Sequence, residues 1–172
     1  NKIYFMDAKT NIIAYNIEKN KTEWRFSAIK KNENDHNIGG GIAIHKERVI
    51  ANTPYGEVIS LNINSGKVDW ITDVISPIRS APTIYNDKVM SLTLDNKLIV
   101  LDIKNGKIVW QHEGVENNTT IVSTPKVAVD DNIIIVPYSN GEFFGLNYSN
   151  GFILWKDSLI DLEESDTSNT FT

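Results

Sequence analysis

The sequence has no cysteine, and this absence excludes disulfide bonds, thiolate metal sites and cysteine nucleophiles. It has three histidines, at positions 36, 45 and 112, and their spacing matches no zinc-binding motif. No apolar run approaches the roughly 20 residues that cross a bilayer. The chain carries 17 Lys and Arg against 22 Asp and Glu, a formal net charge of -5 without a basic stripe. Nucleic acid is therefore not an expected partner.

The sequence patterns of other cofactor and catalytic sites are missing as well. No glycine-rich phosphate loop opens a helix, because the glycine run at residues 39–41 leads into a strand. Asp130-Asp131-Asn132 resembles a calcium loop but is better explained as a turn between two strands. No nucleophile has a base at a recognisable spacing. We therefore predict no catalytic residue, no metal site and no cofactor-binding residue.

The sequence does contain one motif that is repeated four times, and each copy ends on tryptophan. The third copy, residues 95–110, reads DNKLIVLDIKNGKIVW, and the tryptophans follow one another at intervals of about 40 to 46 residues. A period of this size built from short strands is typical of propellers and other stacked β arrays. We predict that the four tryptophans bridge one repeat to the next: Trp24, Trp70, Trp110 and Trp155.

Two further positions recur in all four copies. Four residues before each tryptophan stand residues that tolerate a left-handed turn: Asn20, Gly66, Gly106 and Gly151. Eight residues before it stand short polar side chains that can cap this turn: Asn16, Asn62, Asp102 and Asn147. We interpret the glycines, like the tryptophans, as structural residues that dock one repeat onto the next.

Each complete repeat reads as four strands separated by Asx and Gly turns, and no stretch has helical periodicity. The third strand of each repeat is apolar or small on both faces, as expected for a sheet packed between two neighbours. We predict an all-β propeller of four-stranded antiparallel blades. Its parts are an incomplete blade at 1–26, three blades at 40–71, 82–112 and 124–156, and a connector or tail at 157–172.

The phrase L-[DN]-x-x-x-G-K-x-x-W, present at residues 61–70 and 101–110, resembles the tryptophan-docking repeat of the pyrroloquinoline-quinone (PQQ)-type propellers. Within these propellers, several further stretches resemble the BamB family of outer-membrane assembly lipoproteins, in its alphaproteobacterial form. They are GGGIAI at 39–44, SPIRSAP at 76–82, and IVPYSNGE at 135–142 with LWKDSL at 154–159. The resemblance implies an eight-bladed ring, of which this chain would form about half. It also implies a periplasmic, lipid-anchored scaffold that binds no quinone and catalyses nothing.

The same resemblance implies BamA as the partner, bound by two loops on one face of the propeller. In the first loop Ile78 would be an apolar anchor and Arg79 a charge-assisted donor to a partner carboxylate or carbonyl. An ordinary loop arginine is the alternative for Arg79. The second loop carries acidic residues in the enterobacterial form, whereas residues 119–122 read TTIV here. This departure puts the second half of the contact in doubt.

Two other functions remain open from the sequence: a fragment of a PQQ-dependent dehydrogenase, and a sensor or ligand-binding propeller. The chain opens inside a strand, at KIYFM, so we expect it to be a piece of a longer protein whose signal and lipid anchor lie elsewhere. Half a ring would expose two blade faces. We therefore expect the isolated chain to pair with a second copy or aggregate, unless four blades close on themselves.

Overall fold

The computed structural model describes residues 1–29, 39–115 and 125–159. They form fifteen antiparallel strands in four sheets, with no helix in the described part of the chain. The first sheet has three strands: β1 Lys2–Met6, β2 Asn11–Asn16 and β3 Lys21–Ser27. The second has four: β4 Gly41–His45, β5 Arg48–Asn52, β6 Glu57–Asn62 and β7 Val68–Asp73.

The third and fourth sheets repeat the four-stranded plan. The third consists of β8 Thr83–Tyr85, β9 Lys88–Leu92, β10 Lys97–Asp102 and β11 Ile108–Glu113. The fourth consists of β12 Ala128–Asp130, β13 Ile133–Pro137, β14 Glu142–Asn147 and β15 Ile153–Ser158. Strands are hydrogen-bonded in chain order within every sheet, as the repeat predicted.

A register shift occurs at one place in every sheet, and the sequence pattern did not predict it. It falls beside the residue paired with the repeat's tryptophan, as between Ser60 and Leu61, where Ser60 pairs with Trp70. The other three shifts lie at Ala14/Tyr15, Val100/Leu101 and Gly145/Leu146. Because a bulge bends a strand and redirects a side chain, it fits the outward turn of the tryptophan toward the next sheet.

Each pair of neighbouring sheets encloses its own apolar core, which confirms the prediction that a third strand is buried on both faces. In β6, Ile59 and Leu61 pack toward the first sheet, whereas Val58 packs toward the third. The core between the third and fourth sheets contains Leu98, Val100, Val136, Phe144 and Leu146. Apolar burial between their faces therefore holds the four sheets together, while the strand-to-strand backbone hydrogen bonds run within each sheet.

The two outermost faces lack such a neighbour among the described residues. The first sheet exposes Ile3, Phe5 and Ile17, and the fourth exposes Ile133 and Ile135. A hollow of about 390 Å³ on the fourth sheet is lined by residues 128–133, Ile135 and Trp155. These faces have the composition of the internal ones but remain uncovered.

Candidate partner-binding surface

The tryptophans of the first three sheets dock on the following sheet in one geometry. The indole Nε1–H of Trp24 donates to the carbonyl of Ile63 at 3.0 Å, and that of Trp70 donates to Ile103 at 3.1 Å. Trp110 makes the same bond to Tyr148 at 3.2 Å. A buried indole usually requires such a partner. These three side chains are thus occupied in joining sheets.

Glycine is required beneath each of these indoles. Gly66, Gly106 and Gly151 have φ angles of 67°, 71° and 75°, in the left-handed region. A Cβ at Gly66 would lie 2.6 Å from the Trp24 ring, and one at Gly106 would lie 2.5 Å from the Trp70 ring. The turn above each glycine is held by the residue at the predicted cap position, as where Asn62 Oδ1 accepts two backbone N–H bonds at 3.0 Å.

Trp155 and Asn20 depart from this pattern. Trp155 is 38% exposed, against 9% for Trp70, and packs against Phe143 of its own sheet with ring centroids 5.7 Å apart. Asn20 stands where the other sheets have glycine, with φ 48°, and its side-chain oxygen accepts the Tyr15 hydroxyl. A side chain at this position fills the space that an incoming indole takes elsewhere. The first sheet therefore lacks the glycine-lined packing site that accepts an indole at each of the three internal joints.

One side of the structure carries the turns between second and third strands together with the connections from sheet to sheet. We call it the connection face: residues 7–10, 28–29, 53–56, 74–82, 93–96, 114–115, 138–141 and 159. Four backbone bonds of one type tie the connections to the turns: Ala28 N–H to Thr10 O at 3.2 Å, Val74 to Gly56 at 2.8 Å, Gly114 to Asn96 at 2.8 Å and Leu159 to Gly141 at 2.9 Å. The predicted partner loop belongs to this face.

The connection at 74–82 is fixed to the sheets on both sides of it. Ile78 N–H donates to the carbonyl of Thr53 at 3.2 Å, and Leu94 N–H donates to the carbonyl of Pro77 at 2.8 Å. The connection therefore has a backbone bond to the second sheet and another to the third. Such anchoring on two sides restricts how far it can move.

A buried amide fixes the end of the same connection. Asn52 is fully buried at the end of β5, and its Nδ2 donates to the carbonyl of Ser80 at 3.0 Å. Its Oδ1 accepts the Ser91 hydroxyl from the third sheet at 2.8 Å. The amide thus uses both of its ends, which is the condition for burying a polar side chain without a large desolvation cost.

The structure places in different surroundings the two residues that the resemblance assigned to partner binding. Ile78 is 0% exposed and belongs to the core between the second and third sheets, so its side chain has no surface to offer a partner. Its assignment as an apolar anchor is corrected on this ground. Arg79 is half-buried, and its aliphatic part lies close to Gly39, where a Cβ would be 2.9 Å from Arg79 Cγ.

The exposed apolar residue of this connection is Ile75, which sequence reasoning missed. Ile75 is 90% exposed and has a φ of 69°. Ser76 N–H donates to the carbonyl of Val74 at 2.8 Å, which makes a γ-turn centred on Ile75. The side chain of Asp73 accepts the Ile75 N–H at 2.8 Å. The loop therefore presents isoleucine, at a backbone angle that L-residues avoid, directly to solvent.

A signal for this residue was present in the sequence. The fifth position after each tryptophan is a β-branched apolar residue in all four copies, and in the last copy it is residue 160, outside the described residues. Val115 is the equivalent one sheet later and is 64% exposed, while Ile29 is half-buried. Asn96 Nδ2 donates to the Val115 carbonyl at 2.9 Å. The second loop expected to meet a partner, residues 119–122, lies outside the described residues.

Close to Val115, a histidine and a tyrosine join the third and fourth sheets. His112 Nδ1 lies 2.6 Å from the Tyr138 hydroxyl, and the two rings stack with centroids 5.8 Å apart. Burial lowers the pKa of His112 below its ordinary value, against the opposing charge of Glu113. Burial also raises the pKa of Tyr138. A neutral imidazole at neutral pH follows from this environment.

Neither a metal cluster nor a membrane-crossing helix occurs within residues 1–29, 39–115 and 125–159. These residues bring together no group of three or more His, Cys, Asp or Glu side chains that could hold a metal ion. No helix among them is long and apolar enough to cross a membrane.

Residues 3–170 match the protein family described as outer membrane protein assembly factor BamB. The chain belongs to the BamB family. An uncharacterised protein of Rickettsia conorii is 31% identical to it over 165 residues, which cover 94% of this chain and 39% of the relative. This chain therefore spans less than half the length of that relative.

The solved structure of BamB from Moraxella catarrhalis superimposes with a TM-score of 0.74 at 20% identity, over 92% of this chain and 45% of the other. The structure of the quinohemoprotein alcohol dehydrogenase ADHIIG from Pseudomonas putida HK5 does so with a TM-score of 0.71 at 13% identity, over 91% and 32%. Both likenesses show the fold alone. With the BamB family match they confirm the predicted all-β propeller and its PQQ-type repeat.

Proposed function

We propose that this chain is a non-catalytic, protein-binding scaffold of the machinery that assembles β-barrels at the periplasmic face of the outer membrane. The observation that carries the proposal is the anchored connection at 74–82. This connection presents an exposed apolar side chain and a half-buried arginine on a rigid support, within a chain of the BamB family. Rigid presentation favours binding because less motion is lost on association.

The partner that we propose is the periplasmic region of a BamA-like protein, and the protein's attachment to the membrane is through a lipid anchor outside this chain. Arg79 gives the connection a guanidinium, which can pair with a carboxylate by two parallel hydrogen bonds or donate to a carbonyl. Its position beside Gly39 supports this role, since its stem is held against backbone where a Cβ would intrude. Arg79 is thus the residue that we assign to polar recognition.

Binding of purified BamA-like periplasmic domains to wild type and to Arg79→Ala tests this proposal. We expect the variant to raise the dissociation constant about tenfold or more, as for an interface arginine at a hot spot. Lys104→Ala is the control, since it removes an exposed cation from a turn on the side opposite the connection face. Equal affinity of Arg79→Ala and wild type would contradict the role of Arg79, and no binding by wild type would contradict the proposed function.

A PQQ-dependent dehydrogenase is the alternative enzyme function. Its support is the shared fold with the quinohemoprotein alcohol dehydrogenase, at 13% identity. A propeller fold carries many functions, so this likeness does not assign activity. Dye-linked alcohol oxidation by the protein with added quinone and calcium would favour the enzyme and contradict the scaffold. A sensor or ligand-binding propeller would instead require a small ligand that stabilises the protein on binding.

We also propose that the isolated chain associates with a second copy through the uncovered face of its fourth sheet. This face carries Trp155, Ile133 and Ile135, while Asn20 hinders the first sheet from accepting Trp155 as the internal joints accept theirs. Light scattering should therefore give a mass above 19.4 kDa that decreases for Trp155→Ser. A monomer at high micromolar concentration would contradict this association without bearing on the connection face.

A further inference from the structure

We propose that Ile75, together with Val115 one repeat later, is the apolar contact through which the connection face binds its protein partner. This inference rests on the proposed function and names the residues and partner chemistry of the same face. Ile75 has an unfavourable backbone conformation. A β-branched residue with positive φ is a conformational outlier and lowers the stability of the fold.

No burial within the described structure offsets this strain. Ile75 is 90% exposed, so its side chain contributes almost nothing to the apolar core. Glycine or asparagine would adopt the same φ of 69° at lower cost. For folding alone, isoleucine is therefore among the least suitable residues at this position. An apolar contact with another molecule would offset the strain that burial within the fold does not offset.

The surroundings of Ile75 hold it in this conformation rather than letting it relax. Asp73 accepts the Ile75 N–H at 2.8 Å, and the Val74 N–H is bound to the Gly56 carbonyl at 2.8 Å. Gly56 leaves room for the turn, since a Cβ there would lie 2.7 Å from the Ile75 carbonyl oxygen. The backbone that carries the side chain is thus held in place before any partner arrives, which reduces the entropy lost on binding.

Val115 extends this contact along the same face. It occupies the equivalent position after β11, is 64% exposed, and has its carbonyl bound by the buried Asn96 side chain at 2.9 Å. A partner that covers both residues must offer apolar surface at two neighbouring connections. Since Arg79 lies on the same connection as Ile75, the fitting partner surface is apolar and includes a carboxylate for Arg79.

Three variants, two of Ile75 and one of Val115, tested with BamA-like periplasmic domains as the probe, separate this role from a structural one. Ile75→Asn should raise the melting temperature by about 2–4 °C by relieving strain of about 1 kcal/mol. The same change should weaken binding about tenfold. Ile75→Val keeps a β-branched apolar side chain and should keep most of the affinity. Val115→Ser should weaken binding without raising the melting temperature.

Phe152→Ser is the matched control, because Phe152 is exposed but lies in a turn on the side opposite the connection face. It should leave affinity unchanged. If Ile75→Asn binds as wild type does while Arg79→Ala loses affinity, the inference about Ile75 is wrong and the proposed function stands. If wild type itself does not bind the probe, both are overturned. A melting temperature that falls for Ile75→Asn would show that Ile75 is a structural residue.

Discussion

Trp70 and Gly106 meet across the joint between the second and third sheets, where the indole ring occupies the space that a Cβ on residue 106 would take. That Cβ would lie 2.5 Å from Trp70 Cε3, and the indole N–H donates to Ile103 O at 3.1 Å. The fit against Gly106 and the hydrogen bond to Ile103 thus hold the same indole in place. Because the first and third sheets repeat this joint, the array depends on three such contacts in series.

Adding even a single methyl group at this glycine should destabilise the joint. Gly106→Ala places a Cβ against Trp70 and forces alanine to a φ of 71°. We expect a loss of about 2–4 kcal/mol in the free energy of unfolding, from overpacking and backbone strain together. Urea denaturation measures it. Asn20→Gly, at the equivalent position without an incoming indole, should change stability by less than about 1 kcal/mol, and equal losses for both variants would contradict the docking geometry.

The contribution of the indole hydrogen bond to the free energy of unfolding should also be measurable separately. Trp70→Phe keeps an aromatic ring but leaves the Ile103 carbonyl without this donor, so we expect a loss of about 2 kcal/mol or more in the free energy of unfolding. Trp155→Phe is the matched control, because Trp155 is more exposed and docks on no further sheet among the described residues. A control variant as destabilised as Trp70→Phe would refute the distinction between these two tryptophans.

The Asn52 amide should determine how firmly the partner-binding connection is held. Asn52→Ala removes the donor to the Ser80 carbonyl and the acceptor of the Ser91 hydroxyl. We expect a loss of about 1–3 kcal/mol in stability and faster amide hydrogen exchange at residues 76–80. Asn64→Ala, at an exposed turn, serves as control. Unchanged exchange at 76–80 in Asn52→Ala would show that the backbone bonds alone hold the connection.

His112 should make the protein less stable as the solution becomes mildly acidic. Burial lowers its pKa in the folded state, so the unfolded chain binds a proton more readily. The contribution of neutral His112 to stability is therefore complete above the unfolded pKa of about 6.5 and is lost as pH falls below it. Melting temperatures from pH 8 to 5 should decline less steeply for His112→Gln, and NMR titration of His112 should give a pKa below about 6.5.

Much of the architecture was readable from the repeat. The four tryptophans, the residues four and eight positions before them, and the apolar third strands indicated stacked four-stranded sheets, and the structure has them. The register shift beside each tryptophan was not readable, because a bulge depends on how two strands pair rather than on one strand's pattern. The first strand of the fourth sheet, β12 at Ala128–Asp130, begins four residues after the blade start predicted at 124.

Less of the candidate site than of the fold could be predicted from the sequence. The SPIRSAP stretch located the connection but gave its apolar role to Ile78, which lies in the core, and overlooked Ile75. Two isoleucines three positions apart in a loop have no periodicity to show which one points inward. The decision comes from the bridge between Ile78 and Thr93 and from the turn at Ile75. The bridge joins the connection to the third sheet, whereas the turn lies within the connection itself.

By itself, then, the sequence determined the repeating sheet and its docking residues. A left-handed turn, with glycine in three of its four copies, and a third strand that is apolar or small on both faces are local features that recur in every repeat. Only the tertiary structure decided which side chains remain outside: Ile75 and Val115 on the connection face, and Trp155 on the last sheet. Exposure depends on what packs against a residue from elsewhere in the chain. That information is absent from any one copy of the repeat.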